Sequence, residues 1–171
     1  GSFLLSQALG WPNIPPTVIR EGPYGIGSLQ LYINSKPDVT YFDLLEHRMA
    51  ELERFAVFDL LVNNADRKAG HCLLDPDGQI WSIDHGLTFN RNFKVRTVML
   101  DFWGSAISDS ILVDLTTLRS SLEIPSPLLT ALANVLDHNE LEALNSRLGF
   151  LLEQPVIPEL DPNRHIPWPW I

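Results

Sequence analysis

Proline is concentrated in three parts of this sequence, and its placement limits where regular helices and strands can form. Residues 11–28, 122–127 and 154–169 hold most of the 13 prolines among 171 residues. Because proline has no backbone N–H and a fixed φ, a helix cannot run undisturbed through such a stretch. The first two stretches are predicted to be joints between elements, and the third an extended tail. We expect Trp168 and Trp170 to pack that tail onto the helices.

The composition excludes several classes of protein. Apolar residues make up 45% of the chain and charged residues 19%, as in a folded globular protein, and the length suits one domain. The net charge of −9, from 21 acidic and 12 basic residues, argues against nucleic-acid binding, which needs Lys and Arg to neutralise phosphates. A single cysteine, Cys72, predicts a reducing compartment such as the cytoplasm. No apolar run approaches the roughly 20 residues of a spanning helix, so no transmembrane segment is expected.

Hydrophobic periodicity and turn residues predict a mostly helical chain with two hairpins. A short helix ends at Gly10, because prolines follow it. Apolar residues that recur every three or four positions predict one long helix from Phe42 to about Val62. The same patterns predict the remaining elements, namely the hairpins Thr17–Arg20 with Ser28–Ile33 and His71–Leu74 with Gln79–Ile83, then helices near Ser110–Ser121, Pro127–Leu136 and Glu140–Leu152. Asp137, three residues before Glu140, is typical of a capping box.

The most informative segment places two acids and a histidine around the second hairpin. Asp66 follows the long helix on a loop, His71 opens the first strand, and Asp84 directly follows the second strand. Phosphoryl transfer needs two acids and a neutral metal ligand that lie close together. One carboxylate orients or accepts a proton from the attacking hydroxyl, while another acid and a neutral ligand hold the divalent cations on the nucleotide phosphates. Because Mg²⁺ keeps several waters, few protein ligands suffice. The hairpin is expected to return Asp84 to the side of Asp66.

These motifs resemble the phosphatidylinositol 3-/4-kinase-like branch of the protein-kinase superfold, including its small bacterial members. That family's loop has the pattern Asp-Arg-His-x-x-Asn, followed by a hairpin and Ile-Asp-Phe-Gly. Here residues 66–71 are Asp-Arg-Lys-Ala-Gly-His and residues 83–86 are Ile-Asp-His-Gly. Lys68 thus replaces a histidine, His71 an asparagine and His85 a phenylalanine. Imidazole suits Mn²⁺ or Zn²⁺ better than Mg²⁺, so the metal preference stays open.

The resemblance implies an α+β fold with a mostly helical, kinase-like C-terminal lobe and short β-hairpins. Residues 35–171 would form that lobe, and residues 1–34 a remnant of the N-terminal lobe with the hinge. The resemblance also implies ATP with Mg²⁺ or Mn²⁺ as cofactors, and a protein, lipid or small molecule as the phosphate acceptor. The implied site residues are Asp66 and Lys68 for catalysis, His71 and Asp84 for the metal, and Gln30, Tyr32, Ile33, Leu73 and Ile83 for the nucleotide.

One expected part of a kinase is missing from the sequence. Kinases of this type pair ATP phosphates with a strand lysine, and none of the lysines present, Lys36, Lys68 and Lys94, lies at that position. We therefore expect the chain to lack the first part of the nucleotide lobe and to turn over nucleotide weakly or not at all. Two other functions stay open: a non-catalytic, pseudokinase-type binding module, and a metal-dependent hydrolase. The hydrolase would use Asp66, His71, Asp84 and His85.

Asp59 is an acidic residue on the apolar face of the predicted long helix. The geometry of 3.6 residues per turn places it on the same face as Leu52 and Ala56. A buried acid must be hydrogen-bonded or paired. We expect Asp59 to brace the catalytic-type loop through backbone N–H groups, and Arg67 to make a structural pairing.

Overall fold

One buried central helix and the helices of the second half of the chain carry most of the core. A computed structural model describes residues 1–123 and 125–171, and Ile124, in the second predicted joint, lies outside the described residues. The elements are α1 (Ser2–Leu9), β1 (Thr17–Gly22), β2 (Gly25–Gln30), α2 (Tyr41–Leu44), α3 (Met49–Val62), β3 (Cys72–Leu74), β4 (Ile80–Ser82), α4 (Asp109–Glu123), α5 (Pro127–Ala133), α6 (His138–Glu153) and α7 (Pro162–His165). Short 3₁₀ turns lie at Ala69–His71 and Leu100–Phe102. The predicted α+β class is confirmed.

The first hairpin forms where predicted, but its second strand is shorter. β1 and β2 pair in antiparallel register from Thr17↔Gln30 to Gly22↔Gly25. The predicted strand reached Ile33, whereas β2 ends at Gln30. The amide of Leu31 still donates to the carbonyl of Pro16 over 2.9 Å. Pro16 has no N–H to offer in return, so the ladder cannot continue beyond this point.

The prediction of one long helix from Phe42 to Val62 was wrong, because the chain forms α2 and α3 with a turn between them. A reciprocal capping box of Thr40 and Asp43 begins α2. Arg48, with φ of −131°, then leaves the helical conformation and precedes α3. Its guanidinium donates to the carbonyl of Gly78 over 2.9 Å and to the Glu51 carboxylate over 2.8 and 2.7 Å. This attachment to the turn of the second hairpin outweighs the helical periodicity of the segment.

The second hairpin is confirmed and brings the two ends of the chemistry-bearing segment together. β3 and β4 pair from Cys72↔Ser82 to Leu74↔Ile80. Gly78 takes the φ of 85° that the turn requires. Beyond the last pair, the amide of Ile83 donates to the carbonyl of His71 over 3.1 Å. The residues that flank the hairpin, including Asp84, therefore lie beside the end of the preceding loop.

The core forms around α3, which is buried on most of its sides. Every residue of α3 from Phe55 to Val62 is buried, and α6 packs against it through Leu144, Leu148 and Leu151. The predicted helices of the second half are confirmed as α4, α5 and α6. The capping box is also confirmed, since the Asp137 carboxylate accepts from the Glu140 amide and the Glu140 carboxylate from the Asp137 amide, each over 2.9 Å.

The C-terminal tail is held by its backbone rather than by its tryptophans. The Thr97 amide donates to the carbonyl of His165, and the Ala69 amide to the carbonyl of Trp170, each over 2.8 Å. The side chains of Trp168 and Trp170 are 87% and 50% exposed. The prediction that these tryptophans pack the tail onto the helices was wrong for Trp168, whereas Trp170 is half-buried.

Within the described residues, 1–123 and 125–171, no helix has both the length and the apolar character needed to cross a membrane.

Candidate active site

A fully buried ion pair forms the base of the candidate site. The Asp59 carboxylate accepts from Arg67 Nε over 2.6 Å and from Arg67 Nη2 over 2.9 Å, and these residues are 1% and 0% exposed. Asn64 Nδ2 donates to the same carboxylate over 2.9 Å. The prediction that Asp59 is buried and braces the loop is confirmed. Its donors, however, are the side chains of Arg67 and Asn64 rather than backbone N–H groups.

Arg67 uses its remaining donors to join the loop to both ends of the second hairpin. Its Nη1 donates to the carbonyls of His71 and Ile83 over 3.3 and 3.2 Å. Its Nη2 also donates to Ser82 Oγ over 2.8 Å and lies 3.0 Å from His85 Nε2. Because the guanidinium is planar and rigid, these bonds fix the loop relative to the strands. The expectation of a structural role for Arg67 is confirmed.

Asn63 ends α3, and its side chain connects the loop to the segment that follows the hairpin, a connection that the sequence does not predict. It adopts φ of 56°, and its Nδ2 donates to the carbonyls of Asn90 and Asn92, each over 2.7 Å. Its Oδ1 accepts from the Lys94 amide over 2.8 Å. An asparagine directly after a helix is a common left-handed cap.

The predicted catalytic and metal-binding side chains meet as two neighbouring pairs. Lys68 Nζ lies 3.4 Å from Asp66 Oδ2, and His71 Nε2 lies 3.3 Å from Asp84 Oδ2. The Lys68 amide donates to His71 Nδ1 over 3.4 Å, which links the pairs. The Asp84 side chain is 58% exposed and that of His71 is 14% exposed. Asp84 adopts φ of 58°, a left-handed conformation that aspartate tolerates better than most residues.

Burial and the neighbouring charges favour the neutral form of His71. Burial and the charge of Arg67 lower the pKa of His71, while Asp84 and Asp66 act in the opposite direction. Both carboxylates are thus close enough to influence the same imidazole. A neutral imidazole is the form that can ligate a metal.

The donor set fits a cation that is shared with a nucleotide. In the described part of the chain, no three His, Cys, Asp or Glu side chains gather into a metal-binding group. Mg²⁺ is commonly held by one or two carboxylates together with substrate phosphates and water. The exposed carboxylate of Asp84, with His71 beside it, meets that requirement.

His85 is a partly buried histidine that directly follows Asp84. Its Nε2 lies 3.1 Å from Ser82 Oγ as well as 3.0 Å from Arg67 Nη2. Its ring meets that of Phe58 edge to face, with 5.8 Å between centroids. Burial and the Arg67 charge hold the pKa of His85 well below its ordinary value, so the ring is neutral. Its Nδ1 is buried and has no hydrogen-bond partner among the described residues.

A cleft of about 720 Å³ opens beside these residues, between the first hairpin, α1 and the segment after β4. Of the predicted site residues, Gln30 and Asp84 line it, together with His85 and Gly86. The remaining predicted nucleotide contacts do not line the cleft: Tyr32, Ile33, Leu73 and Ile83. Tyr32 is 85% exposed.

Comparison with known proteins decides the family. The family model of phosphatidylinositol 3- and 4-kinase matches residues 19–107, just over half of the chain. This chain belongs to the phosphatidylinositol 3- and 4-kinase family. The matched residues run from β1 through the loop and second hairpin to Ile107, so they include Asp66, His71 and Asp84.

The matches between this phosphatidylinositol 3- and 4-kinase family member and its individual relatives differ in how much of each protein they cover. It is 37% identical over 203 residues to Protein Rv2133c of Mycobacterium tuberculosis, and the match covers 98% of the chain and 72% of that protein. It is 28% identical over 107 residues to phosphatidylinositol 4-kinase gamma 4 of Oryza sativa subsp. japonica, covering 57% of the chain and 19% of that protein. The protein of the same name from Arabidopsis thaliana is 26% identical over 118 residues, covering 60% of the chain and 21% of that protein. The chain thus spans about a fifth of each of these plant kinases.

Proposed function

We propose that this chain is the helical lobe of a phosphotransferase that moves the γ-phosphoryl group of ATP to a hydroxyl acceptor. The observation that carries the proposal is the junction of the Asp66–Lys68 and His71–Asp84 pairs at the loop and hairpin. In this division, residues 1–34 form the remnant of the nucleotide lobe with the hinge, and residues 35–171 form the helical lobe. The acceptor class, whether protein, lipid or small molecule, stays open.

Asp66 would act on the acceptor. Its carboxylate receives the proton of the acceptor hydroxyl as the acceptor oxygen bonds to the γ-phosphorus. The bond from that phosphorus to the β–γ bridging oxygen then breaks, and ADP leaves. Lys68 Nζ, 3.4 Å from Asp66 Oδ2, supplies a cation for an anionic oxygen of the group in transfer. Lys68 therefore assists binding and charge stabilisation rather than proton transfer.

Asp84 and His71 would hold the divalent cation that arrives with the nucleotide. Bound Mg²⁺ or Mn²⁺ would neutralise charge on the phosphate oxygens during transfer. Asp84 supplies an exposed carboxylate. His71 can offer Nε2 once its hydrogen moves to Nδ1, which exchanges its contacts with the Asp84 carboxylate and with the Lys68 amide. The buried Asp59–Arg67 pair holds Asp84 and His71 in place. Arg67 does so by donating to the backbone carbonyls at the two ends of the hairpin.

Nucleotide binding, measured by calorimetry on this chain, tests the proposal. The probe is a non-hydrolysable ATP analogue, with and without Mn²⁺. We expect Mn²⁺ to strengthen binding, and Asp84→Asn to remove about tenfold or more of affinity, the loss of one charged contact. Asp77→Asn, in the exposed turn of the second hairpin, is the matched control and should leave affinity unchanged. Absence of metal-dependent binding, or equal effects of the two substitutions, would overturn the proposal.

A partner-binding module without phosphotransfer is the second candidate, favoured by the departures from the family pattern at Lys68, His71 and His85. Such a module has no need of a cation at Asp84. Nucleotide affinity that is unaffected by Mn²⁺ and by Asp84→Asn would therefore support this candidate against the phosphotransferase.

A further inference from the structure

We propose that His85 is a nucleotide-binding residue whose Nδ1–H donates a hydrogen bond to a phosphate oxygen in the cleft beside Asp84. The inference rests on the proposed function and adds a contact to it. Three observations support it. The contacts of His85 favour one tautomer, its buried Nδ1 has no hydrogen-bond partner among the described residues, and the residue lines the cleft.

The surroundings of His85 Nε2 determine where the ring carries its proton. Arg67 Nη2 lies 3.0 Å from this nitrogen, and its two hydrogens already serve Asp59 Oδ1 and Ser82 Oγ over 2.9 and 2.8 Å. A hydrogen on Nε2 would face this cationic group, so the electrostatics favour a lone pair there. Ser82 Oγ, 3.1 Å away, already accepts from Arg67 over 2.8 Å, so its own hydrogen is available to point at Nε2 as well. The neutral ring consequently carries its hydrogen on Nδ1.

The Nδ1–H group is a donor that the described residues leave unused. The atom is buried and has no partner, and the ring of Phe58 that packs against His85 offers no oxygen. An unsatisfied buried donor destabilises the folded state, so a native structure that keeps one calls for a reason. A ligand oxygen that arrives only in the bound state supplies such a reason.

The position of His85 indicates an anionic ligand. His85 lines the 720 Å³ cleft with Asp84 and Gly86, and it directly follows Asp84 in the chain. A phosphate that shares a cation with Asp84 would therefore enter the cleft that the ring lines.

Nitrogen NMR of the histidine rings tests the inference on the unmodified chain. Long-range proton–nitrogen spectra distinguish the two neutral tautomers, and we expect the Nδ1–H form for His85. The Mg²⁺ complex of a non-hydrolysable ATP analogue should shift the Nδ1 resonance, whereas adenosine, which lacks phosphates, should not. The exposed His47, 75% exposed at its side chain, provides an internal reference that should not move.

Two substitutions separate the donor from the bulk of the ring. His85→Phe keeps a planar ring against Phe58 and removes the donor, so the affinity for the Mg²⁺–nucleotide should fall about tenfold, while the affinity for adenosine stays unchanged. His85→Asn places an amide N–H near the position of Nδ1 and should recover part of the loss. Equal affinities of the wild type and His85→Phe would overturn the inference.

The outcomes distinguish this inference from the proposed function. An Nε2–H tautomer, or an Nδ1 resonance that does not respond to a nucleotide bound with its metal, overturns the role of His85 alone. A shift that adenosine reproduces overturns the phosphate contact. A failure of metal-dependent nucleotide binding overturns the proposed function, and the role of His85 falls with it.

Discussion

The carbonyl oxygen of Trp170 accepts a hydrogen bond of 2.8 Å from the amide of Ala69, in the middle of the loop between Asp66 and His71. The amide of Thr97 in turn donates to the carbonyl of His165 over 2.8 Å. The C-terminal tail therefore ties the candidate catalytic loop to the segment that follows the second hairpin. Both contacts use backbone atoms of the tail.

Deleting residues 168–171 should speed hydrogen exchange at the Ala69 amide by about fivefold to tenfold, the effect of losing one hydrogen bond of about 1 kcal/mol. Trp170→Ala keeps the backbone carbonyl and is the matched control. Its Ala69 amide should remain protected. If both proteins exchanged at the same rate, the Trp170 carbonyl would not be what protects this amide.

Asp59→Asn should lower the free energy of unfolding by about 3–5 kcal/mol, because it leaves the fully buried guanidinium of Arg67 without its counter-charge. Chemical denaturation measures this change. The control is Glu123→Gln, which breaks the exposed Arg119–Glu123 pair and should cost about 1 kcal/mol or less. A loss at Asp59 no larger than that of the control would contradict a stabilising buried pair.

Cys72 should make the chain less stable at alkaline pH. Burial raises the pKa of its thiol from 9.0 to about 12. Above pH 9 the unfolded chain releases a proton that the folded chain retains, so the free energy of unfolding falls by about 1.4 kcal/mol per pH unit from this group. Below pH 9 the contribution is constant, and the loss is complete near pH 12.

Denaturation of the wild type and of Cys72→Ala between about pH 8 and pH 11 isolates this contribution. The substitution shifts the whole curve through lost packing, but only the wild type should show the added downward slope. Parallel curves would mean that the thiol ionises equally in both states.

Asp66→Asn should lower ATP-dependent phosphoryl transfer in the intact natural protein by about a hundredfold or more, within the usual range for a positioned acid–base group. Single-turnover kinetics at saturating nucleotide measure the effect. Asp38→Asn, at an exposed position, serves as the control and should leave the rate unchanged. A loss of less than about threefold would remove Asp66 from the catalytic role.

Local patterns predicted much of the fold. Gly10 ends α1 in the left-handed conformation, with φ of 76°, and the Asp137–Glu140 pair marks the start of α6. Each of these residues acts within one helical turn, so the sequence alone contains the relevant information. The motif around the second hairpin was recognisable for the same reason, because a short hairpin fixes which residues flank it.

Contacts between distant residues account for what the sequence did not predict. Arg48 interrupts the helical pattern because of its bond to Gly78, thirty residues later. Asp59 was expected to find backbone donors, and its actual partner, Arg67, belongs to the motif itself. Trp168 was expected to be buried, since its size favours burial, yet backbone hydrogen bonds already hold the tail.

The first hairpin has a practical consequence for anyone purifying this chain. Its apolar side chains face solvent, with Ile26 82% exposed, Ile19 61% and Val18 57%. The outer edges of its two strands can also form backbone hydrogen bonds with a strand of another molecule. We expect the chain to self-associate through this ribbon as its concentration rises. A lysine placed at Ile26 or Val18 should extend the usable concentration range without disturbing the core.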